Sequence, residues 1–87
     1  MPDLRTAGSL MIVPNDEEDA RVRRRRAHDR AATRHERGAR SERETANASE
    51  ILGDPGEAER HREAARRLER GADDERQMAE DERSREP

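Results

Sequence analysis

The sequence predicts an all-α protein, an antiparallel two-helix hairpin that packs like a coiled coil and follows a flexible N-terminal arm over residues 1–14. Three observations support this fold. Ala, Glu, Leu and Arg supply 50 of the 87 residues, a bias typical of coiled coils and long helices. Small residues recur at alternating spacings of three and four. A helix-stop signal is followed at once by a helix-start signal after the middle of the chain.

The first helix is predicted after the arm, in which two prolines and a glycine interrupt helical structure. Asn15 can accept a hydrogen bond from the free amides of a first helical turn, and Glu18 completes a capping box. No proline interrupts residues 15–54, so we expect this helix to cover about residues 16–52.

The turn is predicted at the sequence EILGDPGE, residues 50–57. Gly53 can adopt the left-handed conformation that ends many helices. Asp54 can cap a second helix, and Pro55 suits the first helical position because that residue needs no free amide. The predicted hairpin domain therefore spans residues 15–87, with a turn at 53–54 and a second helix at about 55–84.

Each predicted helix carries a narrow stripe of small residues at heptad spacing, and the two stripes are expected to form a seam. Folding the chain at the turn sets Gly38 opposite Gly71, so that the backbones approach closely. The same register predicts the pairs His28 with Asp81, His35 with Asp74 and Glu42 with Arg67. We expect the seam to contain Ala32, His35, Gly38, Ala39, Leu52, His61, Ala65, Leu68, Gly71 and Ala72.

The charges of the two helices favour this arrangement. Residues 21–52 carry ten Arg and five acidic residues, whereas residues 53–87 carry eight Arg and twelve acidic residues. Opposite net charges favour folding one half back onto the other. Because burial of an alanine contributes less than the ~1.5–3 kcal/mol of a buried Leu or Ile, the seam is expected to be weak. We therefore expect a homo-oligomer or a helical protein partner.

Composition argues against several classes of function. The chain has no Cys, which excludes disulfides and thiolate zinc sites. Two narrow alanine-lined helices enclose no pocket, so we predict no enzyme activity, no catalytic residue, no cofactor and no small-molecule substrate. The longest apolar run, LMIV at residues 10–13, is too short to span a membrane, and a cytoplasmic protein without membrane contact is expected.

The three histidines are candidate metal ligands. His28 and His35 lie seven residues apart, about 10 Å along a helix, and the predicted register does not bring His61 near either of them. We therefore predict that the histidines line the seam and bind no metal.

The sequence RVRRRR at residues 21–26 is the sharpest charge feature. The candidate contacts to a polyanion such as RNA or DNA are Arg21, Arg23, Arg24, Arg25 and Arg26. The favoured interpretation is a solvated helix start that pairs with nearby acidic residues. The chain has no aromatic residue for base stacking and no helix-turn-helix or zinc motif, so nucleic acid is the less favoured partner.

Two short patterns resemble known proteins. His28, Ala31, Ala32 and His35 belong to an H-x-x-A-A type of repeat, and Gly53, Asp54 and Pro55 form a GDP turn. With these features, residues 25–75 resemble a loose group of short, Arg/Ala/Glu-rich actinobacterial proteins, which implies a helical hairpin and no particular activity. The sequence ILGDPGEAE is also similar to the inter-helix turn of tetratricopeptide repeats, although the large residues of that repeat are absent.

The predicted function is that of a non-enzymatic interaction or assembly module, which self-associates or pairs with a partner helix. One alternative is a polyanion-binding accessory protein that uses the 21–26 cluster. The other is a largely disordered chain without a dedicated activity, because only eight residues are Leu, Ile or Val.

Overall fold

The protein is an antiparallel pair of helices, α1 (Pro2–Ile51) and α2 (Pro55–Ser84). This computed structural model describes residues 2–85, and it describes side chains for residues 16–85. The helices contact each other along their shared length, from Arg24 and Glu82 at the open end to Glu50 and Arg62 near the turn. This architecture confirms the predicted all-α hairpin.

The start of α1 differs from the prediction. The helix begins at Pro2 rather than near residue 16, so the backbone of residues 2–14 is helical where an arm was expected. Pro2 suits the first helical position because its missing N–H would have no hydrogen-bond partner within the helix there. Asn15 lies inside the helix, so the predicted cap at this residue is wrong. Met1 lies outside the described residues, as do the side chains of the LMIV run.

The turn between the helices forms as the sequence predicted. Gly53 has a φ of 81°, the left-handed conformation that glycine adopts without steric cost. The backbone amide of Asp54 donates to the Ser49 carbonyl at 2.9 Å, which satisfies an end of α1. The side chain of Asp54 accepts a hydrogen bond from the Glu57 amide at 3.0 Å and so caps α2, which begins at Pro55.

Among the described side chains of residues 16–85, the buried apolar core consists of alanines at seven-residue intervals within each helix. Each of these residues is at most 4% exposed, and the seven are Ala32, Ala39 and Ala46 of α1 and Ala58, Ala65, Ala72 and Ala79 of α2. Such small side chains allow a close approach of the backbones. A Cβ atom at Gly38 would lie 3.2 Å from Leu68 Cδ1, and one at Gly71 would lie 3.1 Å from His35 Nδ1. Both mid-helix glycines therefore make room for a side chain of the other helix.

Two details of the predicted seam are wrong. Leu52 is 83% exposed, because α1 ends at Ile51 and Leu52 lies in the turn, beyond the seam. Gly38 and Gly71 do not face each other, since Gly38 lies against Leu68 and Gly71 lies against His35. In the observed register each glycine accommodates a larger side chain, which fills space that two facing glycines would leave empty.

The two helices also repeat one sequence pattern. Residues 28–46 and 61–79 are identical at 11 of 19 positions when aligned without a gap. The identical pairs are His28/His61, Ala31/Ala64, Ala32/Ala65, Arg34/Arg67, Glu36/Glu69, Arg37/Arg70, Gly38/Gly71, Ala39/Ala72, Glu42/Glu75, Arg43/Arg76 and Ala46/Ala79. Because the helices are antiparallel, an approximate two-fold axis relates the copies, and the contact of Gly38 with Leu68 is equivalent to that of Gly71 with His35.

Candidate interaction surfaces

The seam contains two equivalent histidine–glutamate pairs. His28 Nδ1 lies 2.5 Å from Glu75 Oε2, and His61 Nδ1 lies 2.6 Å from Glu42 Oε2. The repeat exchanges these two pairs, because His28 corresponds to His61 and Glu42 corresponds to Glu75. Each pair stands beside buried alanines of both helices and fixes their register.

The predicted polar pairs are therefore wrong. His28 meets Glu75 instead of Asp81, and Glu42 meets His61 instead of Arg67. His35 does not meet Asp74, and its buried Nδ1 atom has no hydrogen-bond partner. In both pairs the observed partner lies six residues before the predicted one, since neither the heptad spacing nor the turn specifies which side chains of the seam face each other.

His61 is also held from its own helix. Its Nε2 atom lies 3.0 Å from Glu57 Oε1, while its Nδ1 atom faces Glu42 of α1. Hydrogen bonding with Glu42, assisted by Glu57, raises the pKa of His61 above the ordinary value of 6.5. The carboxylate of Glu57 is in turn stabilised by Arg60, whose hydrogen bond lowers the pKa of Glu57.

Arginine–glutamate pairs along the edges of the seam follow the same symmetry. Arg43 Nη2 lies 2.5 Å from Glu69 Oε1, and the repeat relates this ion pair to the one between Arg76 and Glu36. Both pairs cross between the helices. Such exposed pairs contribute about 0–1 kcal/mol each, so their main effect is on register.

The open end of the hairpin is closed by Arg24 and Glu82. Arg24 Nε donates to Glu82 Oε1 at 3.0 Å, and Arg24 Nη2 donates to Glu82 Oε2 at 3.3 Å. This bidentate hydrogen bond lowers the pKa of Glu82, which is only 8% exposed. Glu82 is not among the predicted seam residues, although it lies seven residues after Glu75 and so continues the seam.

The 21–26 arginine cluster divides between two faces of α1. Arg21 donates to the carbonyl of Arg85 at 3.2 Å, Arg24 binds Glu82, and Arg25 also has a partner within the protein. Arg23 and Arg26 are exposed, and neither has an ion-pair partner among the described side chains. The five residues therefore do not form one patch.

A longer basic surface lies on the side of α1 that faces away from α2. We call it the arginine stripe and define it as Arg23, Arg26, Arg30, Arg34 and Arg37. All five are exposed, and none has an ion-pair partner among the described side chains. Arg30 and Arg34 each lie two residues from the buried Ala32, which places them on nearly the opposite side of the helix.

The end of the hairpin at the turn exposes two large apolar side chains. Ile51 is 86% exposed and Leu52 is 83% exposed, and we call this pair the hairpin end. Met78, on α2, is 46% exposed. The remaining surface of the described chain is dominated by charged residues.

The described part of the chain contains no cluster of three or more His, Cys, Asp or Glu residues suited to a metal ion. Over its described residues, neither helix has an apolar stretch long enough to cross a membrane.

Comparisons with known proteins provide no relative for this hairpin. No protein-family model matches the sequence, and no curated protein and no solved structure is significantly similar to it. The resemblance to short actinobacterial proteins therefore stays a prediction, and the surfaces of the hairpin are the basis for a functional proposal.

Proposed function

We propose that this protein is a non-enzymatic helical assembly module that self-associates through the hairpin end. The observation that supports this proposal is the exposure of Ile51 and Leu52, at 86% and 83%. They are neighbours at the turn and lie outside the seam, so that the fold of one chain leaves most of both side chains in water. An adjacent pair of exposed aliphatic side chains favours burial against another molecule.

A second copy suits this surface because a symmetric contact uses the same patch twice. Two copies would bury four large aliphatic side chains, and full burial of each contributes about 1.5–3 kcal/mol. Among the described residues of one hairpin, no large aliphatic side chain is fully buried. A negative and a positive side chain lie beside the patch, since Glu50 forms an ion pair with Arg62. In a two-fold dimer, Glu50 of one copy can also approach Arg62 of the other.

No catalytic role is part of this proposal. Two of the seam histidines are paired with carboxylates of the other helix, His28 with Glu75 and His61 with Glu42. These pairs join the two helices, which makes them structural groups that hold the module in shape.

Sedimentation velocity over a hundredfold range of protein concentration tests the proposal. The wild-type chain is expected to shift from monomer to dimer as concentration rises. The double substitution Ile51→Gln and Leu52→Gln is expected to remain monomeric with unchanged helical circular dichroism, because neither residue lies in the seam. Met78→Gln is the matched control, since it removes an exposed apolar side chain elsewhere and should leave dimerisation intact. A wild-type chain that stays monomeric, or a double variant that still dimerises, would contradict the proposal.

A further inference from the structure

We propose that the arginine stripe binds the phosphate backbone of double-stranded nucleic acid without reading its sequence. This activity goes beyond self-association, because the stripe and the hairpin end are separate surfaces. The stripe shares only Arg23 and Arg26 with the 21–26 cluster. The other three arginines of that cluster, Arg21, Arg24 and Arg25, have partners within the protein.

The geometry of the stripe is linear. Its members follow one another at spacings of three, four, four and three residues, which keeps them on one face of a helix. Fourteen residues separate Arg23 from Arg37, so the stripe is about 21 Å long at a rise of about 1.5 Å per residue. Packing of α1 against α2 holds this face straight.

The acidic residues of the same part of α1 are directed toward α2. Asp29 lies 3.9 Å from Arg76 and 4.0 Å from Arg83, and Glu36 pairs with Arg76. Glu42 binds His61 in the seam. These are the only acidic residues between positions 20 and 43, so the face that carries the stripe is locally basic although the chain has a net charge of −3. At physiological salt, exposed charges more than about 8 Å apart are largely screened from each other. The binding of an anion to the stripe therefore depends on the charges near it rather than on the net charge of the chain.

The internal repeat shows that the stripe is specific to α1. In α2 the equivalent positions are Gly56, Glu59, Glu63, Arg67 and Arg70. Arg67 and Arg70 remain, but they lie 3.9 Å and 4.0 Å from the carboxylate of Glu63, which partly neutralises them. The seam pattern is therefore repeated in both helices, while an uninterrupted basic face occurs on α1.

The chemistry of the stripe favours phosphate over a protein or a membrane. The only apolar residues from position 23 to position 37 are alanines, whereas protein interfaces and membrane-surface helices require large apolar side chains. Guanidinium groups bind phosphate oxygens through paired hydrogen bonds. A B-form DNA duplex presents about one negative charge per 1.7 Å of its axis, and its major groove, about 12 Å wide, admits a helix. The absence of aromatic residues argues against single strands, which are bound by base stacking.

Fluorescence anisotropy with a labelled duplex of about 20 base pairs and mixed sequence, from about 50 to 200 mM NaCl, tests this proposal. The full-length chain is expected to bind B-form DNA with a slope of log K against log salt of about −3.6 to −4.5, which corresponds to release of counterions from about four or five phosphates. DNA and RNA duplexes serve as parallel probes, and binding of either supports the proposal.

The test variant carries Arg26→Gln, Arg30→Gln and Arg37→Gln. It should bind at least about tenfold more weakly and have a salt slope less negative by about 3. The control carries Arg60→Gln, Arg67→Gln and Arg70→Gln, which makes the same change of net charge on exposed residues of α2 that have acidic partners. It should bind within about threefold of wild type. Circular dichroism confirms that both variants fold.

Three outcomes would overturn the proposal. The first is no binding of the wild-type chain to either duplex at the lowest salt concentration. The second is an equal loss of affinity in the two triple variants, which would show a non-specific effect of net charge. The third is tighter binding of the wild-type chain to vesicles of phosphatidylcholine and phosphatidylserine than to the duplexes, which would assign the stripe to a membrane surface.

Discussion

The two helices share a seam but differ on the faces that point away from it. Ala39 of α1 corresponds to Ala72 of α2, and both are buried, whereas Arg26 of α1 corresponds to Glu59 of α2, and both are exposed. Because both helices meet the same steric and hydrogen-bonding demands in the seam, the same residues satisfy them. The outer faces meet no such demand, so their difference is informative about function.

The symmetry of the seam resembles that of a homodimer interface within one chain. In such an interface residue i contacts residue j, and the equivalent of j contacts the equivalent of i. The pair of His28 with Glu75 and the pair of His61 with Glu42 follow this rule. The symmetry is broken where Leu68 replaces the equivalent of His35, so that an apolar side chain lies against Gly38 and an imidazole lies against Gly71.

The largest expected effect comes from enlarging a buried alanine. Ala39→Leu and Ala72→Leu each insert a bulky side chain at a buried position between the helices, and overpacking of this kind costs about 1–3 kcal/mol. Because Ala39 and Ala72 are equivalent in the repeat, the two variants should lower the free energy of unfolding by similar amounts. Urea denaturation followed by circular dichroism measures both values.

Ala27→Leu is the control for this comparison, because Ala27 is an exposed residue of α1. It should change the free energy of unfolding by no more than about 0.5 kcal/mol. Unequal losses for Ala39→Leu and Ala72→Leu would show that the two halves of the seam are not energetically equivalent.

A smaller effect is expected from the pH dependence of the pair between His61 and Glu42. The pKa of His61 is raised in the folded state, so its stabilising contribution is fully present below the unfolded pKa near 6.5 and is lost as pH rises through the folded pKa. The melting temperature of the wild-type chain should therefore fall by a few degrees as pH rises through the folded pKa of His61. His61→Gln should reduce this fall, which thermal melts at a series of pH values measure.

Arg43→Gln provides the comparison for His61→Gln. It removes another ion pair between the helices, the one with Glu69, and this pair contains no histidine. We expect it to lower the melting temperature equally at each pH above 6.5 and to leave the slope unchanged. If His61→Gln keeps the wild-type slope, the pair with Glu42 does not control the pH dependence.

The sequence alone predicted the fold and the turn, and it missed the register and the basic stripe. Gly53, Asp54 and Pro55 act locally, so their effect could be inferred from the residues themselves. The register depends on which polar side chains of the two helices face each other, and heptad spacing is compatible with more than one such pairing. A self-comparison of the sequence would have revealed the repeat. The stripe required the structure, since only the contacts show that the acidic residues among its arginines turn toward α2.

The smallest expected effect comes from removing arginines of the stripe. Arg30 lies four residues after Arg26 and four before Arg34, and like charges at this spacing destabilise a helix by about 0.2–0.5 kcal/mol per pair. Arg30→Gln should therefore raise the free energy of unfolding by a few tenths of a kcal/mol, measured by urea denaturation at low salt. Its equivalent in α2 is Glu63, which interacts with Arg66, Arg67 and Arg70, so Glu63→Gln should lower stability instead. A loss of stability in Arg30→Gln would assign the stripe a role in the fold. A gain would mean that the chain retains the stripe against the preference of its own helix, as expected for residues that serve binding.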